Sequence, residues 1–183
     1  MPRLKTLPED ATLIDLLQTY PNGAKIVGVA VQEALRGESP LSVQQRELLA
    51  TYVSGLNQCH YCHGAHHHIA EAVGVDGELL DAVLADPETA PVEATMKPIL
   101  HYVKKLTLTP SQLTDADADA IRAAGWDDDA LHSINLVVAA FSFMNRYVEG
   151  AGLNIPPKAF FEKQGAFIAQ NSYDLKPTEF DYS

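Results

Sequence analysis

The sequence predicts an all-α fold. Three observations carry this: apolar residues recur at helical spacing along the chain, helix start and stop signals punctuate it, and no stretch alternates apolar and polar residues over the length of a strand. Leu13, Ile14, Leu16 and Leu17 mark a short first helix ending near Tyr20-Pro21-Asn22-Gly23, and Ala24 to Leu35 a second ending at Gly37. Pro40 separates this pair, an N-terminal extension over about residues 1–40, from the rest of the chain. Ser42 with Gln45 forms a capping box that opens a helix carrying Glu47, Leu48, Leu49, Tyr52 and Val53 toward Leu56. The next helix carries both cysteines and runs to about Val73, with Gly74 as its left-handed stop; Asp76 caps a short helix through Leu84, and Asp86-Pro87 ends it.

Ala94 to Leu106 shows helical spacing with Pro98 in its first turn. Thr114 with Asp117 forms a second capping box, before a helix to Ala124 and a stop at Gly125. The longest helix runs from Asp128 to about Glu149, its acidic start set against the positive end of the helix dipole and its end closed by Gly150 and Gly152. Pro156-Pro157 opens a final short helix through Phe160, Phe161 and Phe167, and the tail from Pro177 to Ser183 is expected to be extended or to pack on a neighbour. At 183 residues the chain suits one domain, residues 1–183.

A net charge of -11, from 13 basic and 24 acidic residues, argues against nucleic acid as a partner. The longest apolar run, Leu136 to Phe141, falls far short of the roughly 20 residues of a membrane helix. No apolar stretch follows the basic residues near the N-terminus, so a secretory signal is not read there and a cytoplasmic protein is expected. Asp115, Asp117 and Asp119 lack the glycine and closing glutamate of a calcium loop and read as a solvated helix start.

The chemistry concentrates in Gln58-Cys59-His60-Tyr61-Cys62-His63-Gly64-Ala65-His66, which holds both cysteines of the chain. On a helix, Cys59, Cys62, His63 and His66 share a side, and thiols three apart can meet the roughly 4.4–6.8 Å Cα separation of a disulfide. His66, one turn after Cys62, can take the thiol proton, and thiolate is the reactive species. A peroxide-reducing thiol needs a nucleophilic sulfur, a base, a donor for the leaving hydroxide and a second thiol to resolve the sulfenic acid. Cys62, Cys59, His66 and a carboxylate supply all four. Glu47 is that carboxylate, because its helix enters the cysteine helix through a short connection and should pack beside it. His63 and Tyr61 are further candidates. No cofactor or resident metal is expected.

Other readings use the same residues. The dithiol can exchange with a protein partner, as a thiol–disulfide oxidoreductase or redox sensor. Cys59, Cys62, His63 and His66 are also a chemically acceptable zinc set, with His60, His67 and His68 nearby, but one helix wraps poorly around a tetrahedral ion. His67 and His68 are expected to face solvent or a neighbouring helix. Of Tyr52, Tyr61 and Trp126, only Tyr61 is fixed next to the thiols. Arg146, in a mostly apolar helix beside Asn145, reads as a member of a structural salt bridge.

The spacing Glu47, eleven residues, Cys59-His60-Tyr61-Cys62, three residues, His66 resembles the alkylhydroperoxidase D and carboxymuconolactone decarboxylase superfamily. Leu108-Thr109-Pro110 and Phe141-Ser142-Phe143-Met144-Asn145-Arg146 are most similar to its uncharacterised peroxidase-related branch. The resemblance implies an alkylhydroperoxidase D-like helical bundle assembled as a dimer, trimer or hexamer, often with the site near a subunit interface. It implies that Cys62 passes through sulfenic acid, Cys59 resolves it, and Glu47 and His66 relay protons. It also implies a hydroperoxide substrate and an external reductant of lipoyl or thioredoxin type. Tyr61 stands where the best-studied peroxidases of the family have a histidine. The decarboxylase branch lacks paired cysteines and acts on a lactone acid, so both thiols here point away from it.

Overall fold

The computed structural model describes residues 1–173, and the expectation for Pro177 to Ser183 lies outside the described residues. Among them the chain forms nine α-helices and no strand. They are α1 (Leu13–Thr19), α2 (Pro21–Arg36), α3 (Val43–Leu56), α4 (His60–Ala72), α5 (Gly77–Ala85), α6 (Lys97–Leu108), α7 (Asp115–Ala123), α8 (Asp128–Ala151) and α9 (Lys158–Asn171), with single 3-10 turns at Ala94–Met96 and Pro110–Gln112. None is long and apolar enough to cross a membrane.

Three expected boundaries move. The helix read from Ala94 starts at Lys97, after the 3-10 turn. Pro21 is the first turn of α2 and not the end of α1, because its fixed φ and missing N–H suit that position. The last helix is 14 residues long and not short, since Phe161, Gly165 and Ile168 bury one face of it. The capping signals act locally as their chemistry requires. Ser42 Oγ accepts the Gln45 N–H at 3.1 Å while the Ser42 N–H donates to Gln45 Oε1 at 2.9 Å. Thr114 and Asp117 form the second such box, and Gly74 and Gly125 take the left-handed conformation at φ +99° and +97°.

α3 and α4 form an antiparallel hairpin at the centre. Its contacts run in opposite chain directions, from Gln44 with the Val73 carbonyl, through Glu47 with His66, to Thr51 with His63. Arg46 to Ser54 are all buried, so α3 is covered on every side, as a central helix must be. α8 lies across α3 with Ile134, Val137, Phe141 and Val148 in the core, and α2 and α6 pack on it. α9 covers α4.

The α4–α9 contact depends on Gly165. A Cβ there would stand 2.5 Å from the carbonyl oxygen of His68 and 2.8 Å from its carbon, backbone atoms that no rotamer change can move. Gly165→Ala is expected to lose about 1–3 kcal/mol by forcing the helices apart. Gly150→Ala in α8 meets no atom within 4 Å and is expected to gain about 0.5–1 kcal/mol. Thermal unfolding followed by circular dichroism separates the two. Equal midpoints would discard the close approach as a determinant of the fold.

Candidate active site

The hairpin turns through Asn57, Gln58 and Cys59, with Gln58 in the left-handed region at φ +55°. Cys59 is the N-cap of α4, with φ -84° and ψ 91°, and Cys62 lies in the first turn. The two thiols still meet, but the expected common face is corrected at His63. Cys59 is outside the helix, and His63 turns away from the thiols to donate from Nδ1 to the Thr51 carbonyl at 3.1 Å. Burial keeps the His63 imidazole below its usual pKa, against the pull of that carbonyl. Cys62, His66 and Ile69, at positions i, i+4 and i+7, face a cavity of about 100 Å³ together with Tyr61, Phe141 and Met144.

Both cysteines are buried free thiols, Cys59 at 0 % and Cys62 at 4 % exposure. The Cys62 thiol donates toward the Cys59 sulfur, which lowers the Cys59 pKa, and the same bond with burial holds Cys62 well above the usual thiol value. Asn145 from α8 opposes that rise at Cys62. Its amide is anchored by donation to Ser54 Oγ at 3.0 Å and by acceptance from Asn57 Nδ2 at 2.9 Å. Of the two sulfurs, Cys59 is therefore the one that loses its proton more readily.

Glu47 has no exposure and carries three partners. Oε2 accepts from His66 Nδ1 at 2.9 Å, and Oε1 accepts from Arg36 Nη1 at 2.7 Å and from Tyr173 Oη at 2.8 Å. Burial pushes the Glu47 carboxyl up, but the His66 hydrogen bond, the charges of His66 and Arg36 and the Tyr173 hydroxyl together hold it below the usual carboxylate range. With Nδ1 given to Glu47, Nε2 is the ring nitrogen left to take up or release a proton. The edge contact with Phe141, at 4.5 Å between centroids and 84° between planes, fixes the ring further.

Tyr61 lines the cavity. Its hydroxyl accepts the Leu13 N–H at 3.1 Å, and its ring packs edge-on against Phe161. Tyr52 is core, and Trp126 donates to the Thr95 carbonyl. The expected salt bridge of Arg146 is corrected: Arg146 is exposed and donates to the Ser142 carbonyl, because its position on α8 faces outward while Asn145 faces inward. The buried carboxylate is paired instead by Arg36, at the end of α2. Neither Arg36 nor Tyr173 is predicted from the sequence; Arg36 in a last helical turn reads only as a dipole partner.

The alternative zinc set of Cys59, Cys62, His63 and His66 does not bring its ligand atoms together among the described residues. His67 lies 3.4 Å from both Glu71 and Asp81, and His68 donates to the Gly64 carbonyl. Among the described residues, His67, His68 and Glu71 hold ligand atoms within 4.8 Å of one another, a group that contains neither cysteine.

Residues 29–96 match the carboxymuconolactone decarboxylase family, a span that includes Glu47, both cysteines and His66. Comparison with curated proteins found no match. Solved structures show the same fold. An uncharacterised peroxidase-related protein from Silicibacter sp. TM1040 is 23% identical, with a TM-score of 0.75 over 84% of this chain and 79% of the other. One from Ralstonia eutropha JMP134, described as an alkylhydroperoxidase AhpD core, is 22% identical, with a TM-score of 0.74 over 82% and 78%. The debrominase Bmp8, solved with 2,3,4-tribromopyrrole, is 16% identical, with a TM-score of 0.70 over 87% and 81%.

Proposed function

We propose that this chain, a member of the alkylhydroperoxidase D and carboxymuconolactone decarboxylase superfamily, reduces hydroperoxides through a dithiol/disulfide cycle of Cys62 and Cys59. The observation that carries the reading is the shared cavity. Cys62 and His66 face one apolar space, and His66 is backed by a buried, ionised Glu47.

In the first step His66 takes the Cys62 thiol proton, and the Cys62 thiolate attacks the terminal oxygen of the hydroperoxide. The O–O bond breaks, the alkoxide leaves with the proton held by His66, and Cys62 becomes a sulfenic acid. Cys59 then attacks the Cys62 sulfur and water leaves, closing the Cys59–Cys62 disulfide. The lowered pKa of Cys59 suits this second role, because it eases loss of the thiol proton, which leaves with the Cys62 hydroxyl as water. The elevated pKa of Cys62 explains why the first step needs a base at all. An external dithiol of lipoyl or thioredoxin type restores both thiols.

The small apolar cavity at Cys62 favours a small substrate for the first step. The test is rapid mixing of reduced protein with an organic hydroperoxide while thiols are counted. The wild type is expected to lose two thiols much faster than a free thiol does. Cys62→Ser should abolish the loss, and Cys59→Ser should stop at a trappable sulfenic acid. Loss no faster than that of a free thiol would discard the peroxidase reading and move the proposal to disulfide exchange.

A further inference from the structure

We infer that Tyr173, from the segment after α9, is a positioning residue of the Glu47–His66 relay. The inference rests on the proposed peroxidase chemistry for what the relay does, though not for its geometry. Tyr173 reaches the relay from the wall of the Cys62 cavity, which it forms in part. Its hydroxyl donates to Glu47 Oε1 at 2.8 Å and lies 3.5 Å from His66 Nδ1. Its ring runs nearly parallel to His66, at 6.0 Å and 24°, and the Arg36 guanidinium carbon sits 4.8 Å from its centroid.

The backbone is pinned to deliver it there. The Tyr173 N–H and the Ser172 hydroxyl both donate to Gln32 Oε1 on α2, at 3.0 and 2.7 Å. Ser172 sits at φ +67° and ψ -167°, a conformation that side-chain-bearing residues adopt only where the surrounding contacts over-determine it. A strained residue and its doubly anchored neighbour are hard to account for as packing alone.

The consequence is a division of labour on one carboxylate. Arg36 and Tyr173 occupy Oε1, so Oε2 is given to His66, and the carboxylate plane cannot swing away. Among the described residues the charged or titratable groups that face Glu47 are Arg36 from α2, Arg46 beside it on α3, His66 from α4 and Tyr173, while α8 presents Phe141 to His66. Removal of the Tyr173 hydroxyl leaves Glu47 one donor short. The less compensated carboxylate then opposes negative charge on Cys62 and no longer holds the His66 ring in one orientation, so the Cys62 thiolate forms only at higher pH.

The test measures alkylation of Cys62 by iodoacetamide against pH, read by peptide mass, with no peroxide involved. Tyr173→Phe keeps the ring and removes only the hydroxyl. It is expected to move the acid limb of the profile to higher pH and to lower the neutral-pH rate roughly tenfold. Gln32→Ala, which unpins the backbone and leaves the hydroxyl in place, should shift the limb in the same direction by less. A Tyr173→Phe profile that superimposes on the wild type overturns the inference and leaves Tyr173 as cavity wall. If Tyr173→Phe does not fold, an unshifted Gln32→Ala profile overturns it instead. A shifted alkylation profile in a protein with no hydroperoxide turnover would discard the proposed function and keep the positioning role.

Discussion

Glu47→Ala is expected to lower stability by about 3–5 kcal/mol and to abolish hydroperoxide-dependent thiol loss. Glu47 is fully buried, and its removal strands the Arg36 guanidinium, itself only 12 % exposed, with no counter-charge at 2.7 Å. At roughly 2–4 °C per kcal/mol for a chain of this size, the midpoint of thermal unfolding should fall by roughly 6–20 °C. Glu47→Gln keeps the volume and one acceptor oxygen, so it should cost less stability while still disabling the relay. The pH dependence follows from the direction of the shift. A carboxyl held below its unfolded value contributes stability that is complete above the ordinary carboxylate range and is lost as pH falls through that range toward the folded value. Glu47→Gln should therefore show a flatter loss of stability on acidification than the wild type. Unfolding midpoints across the acid range decide it, and an unchanged midpoint in Glu47→Ala would remove the network as a determinant of the fold.

The parts of the site that are legible in the sequence are those set by one helix or by one short turn. Cys62 and His66 share a face because they are four apart, and Glu47 meets His66 because Asn57, Gln58 and Cys59 fold α3 back onto α4. The helical period misleads at Cys59 and His63. Cys59 is a cap with extended backbone, so the face begins at Cys62, and His63 falls on the side that meets the Thr51 carbonyl. Arg36 and Tyr173 are illegible for a different reason. They reach Glu47 from separate elements, Tyr173 from 126 positions away in the chain, and no local pattern encodes such a meeting. The same limit explains Arg146, whose helix is plain from its periodicity while its outward direction depends on how α8 rolls against α3. Caps and glycine stops, in contrast, act within three or four residues, and Ser42, Asp76, Thr114, Gly74 and Gly125 do as their chemistry dictates.

Phe141→Ala should cost about 3–5 kcal/mol, the range for truncating a fully packed aromatic ring. Phe141 is 1 % exposed on the core side of α8 and also forms part of the wall of the Cys62 cavity. The hole left by the ring would therefore join an existing space and could not close by local collapse, which places the cost at the upper end of that range. Function should change in a way that stability does not report. Without the edge contact at 4.5 Å, His66 loses its lateral support, and turnover of hydrogen peroxide is expected to fall. The enlarged cavity should at the same time admit cumene hydroperoxide more readily, so the ratio of kcat/KM for the bulky over the small peroxide should rise. Phe141→Leu, which refills most of the volume, is expected to lose about 1–1.5 kcal/mol and to leave that ratio near the wild-type value. Because Phe141 and Glu47 both hold His66, the Phe141→Ala/Glu47→Ala double variant should lose less than the sum of the two singles. An additive pair would mean that the two contacts act on the imidazole independently, and the ring would then be support for the core alone.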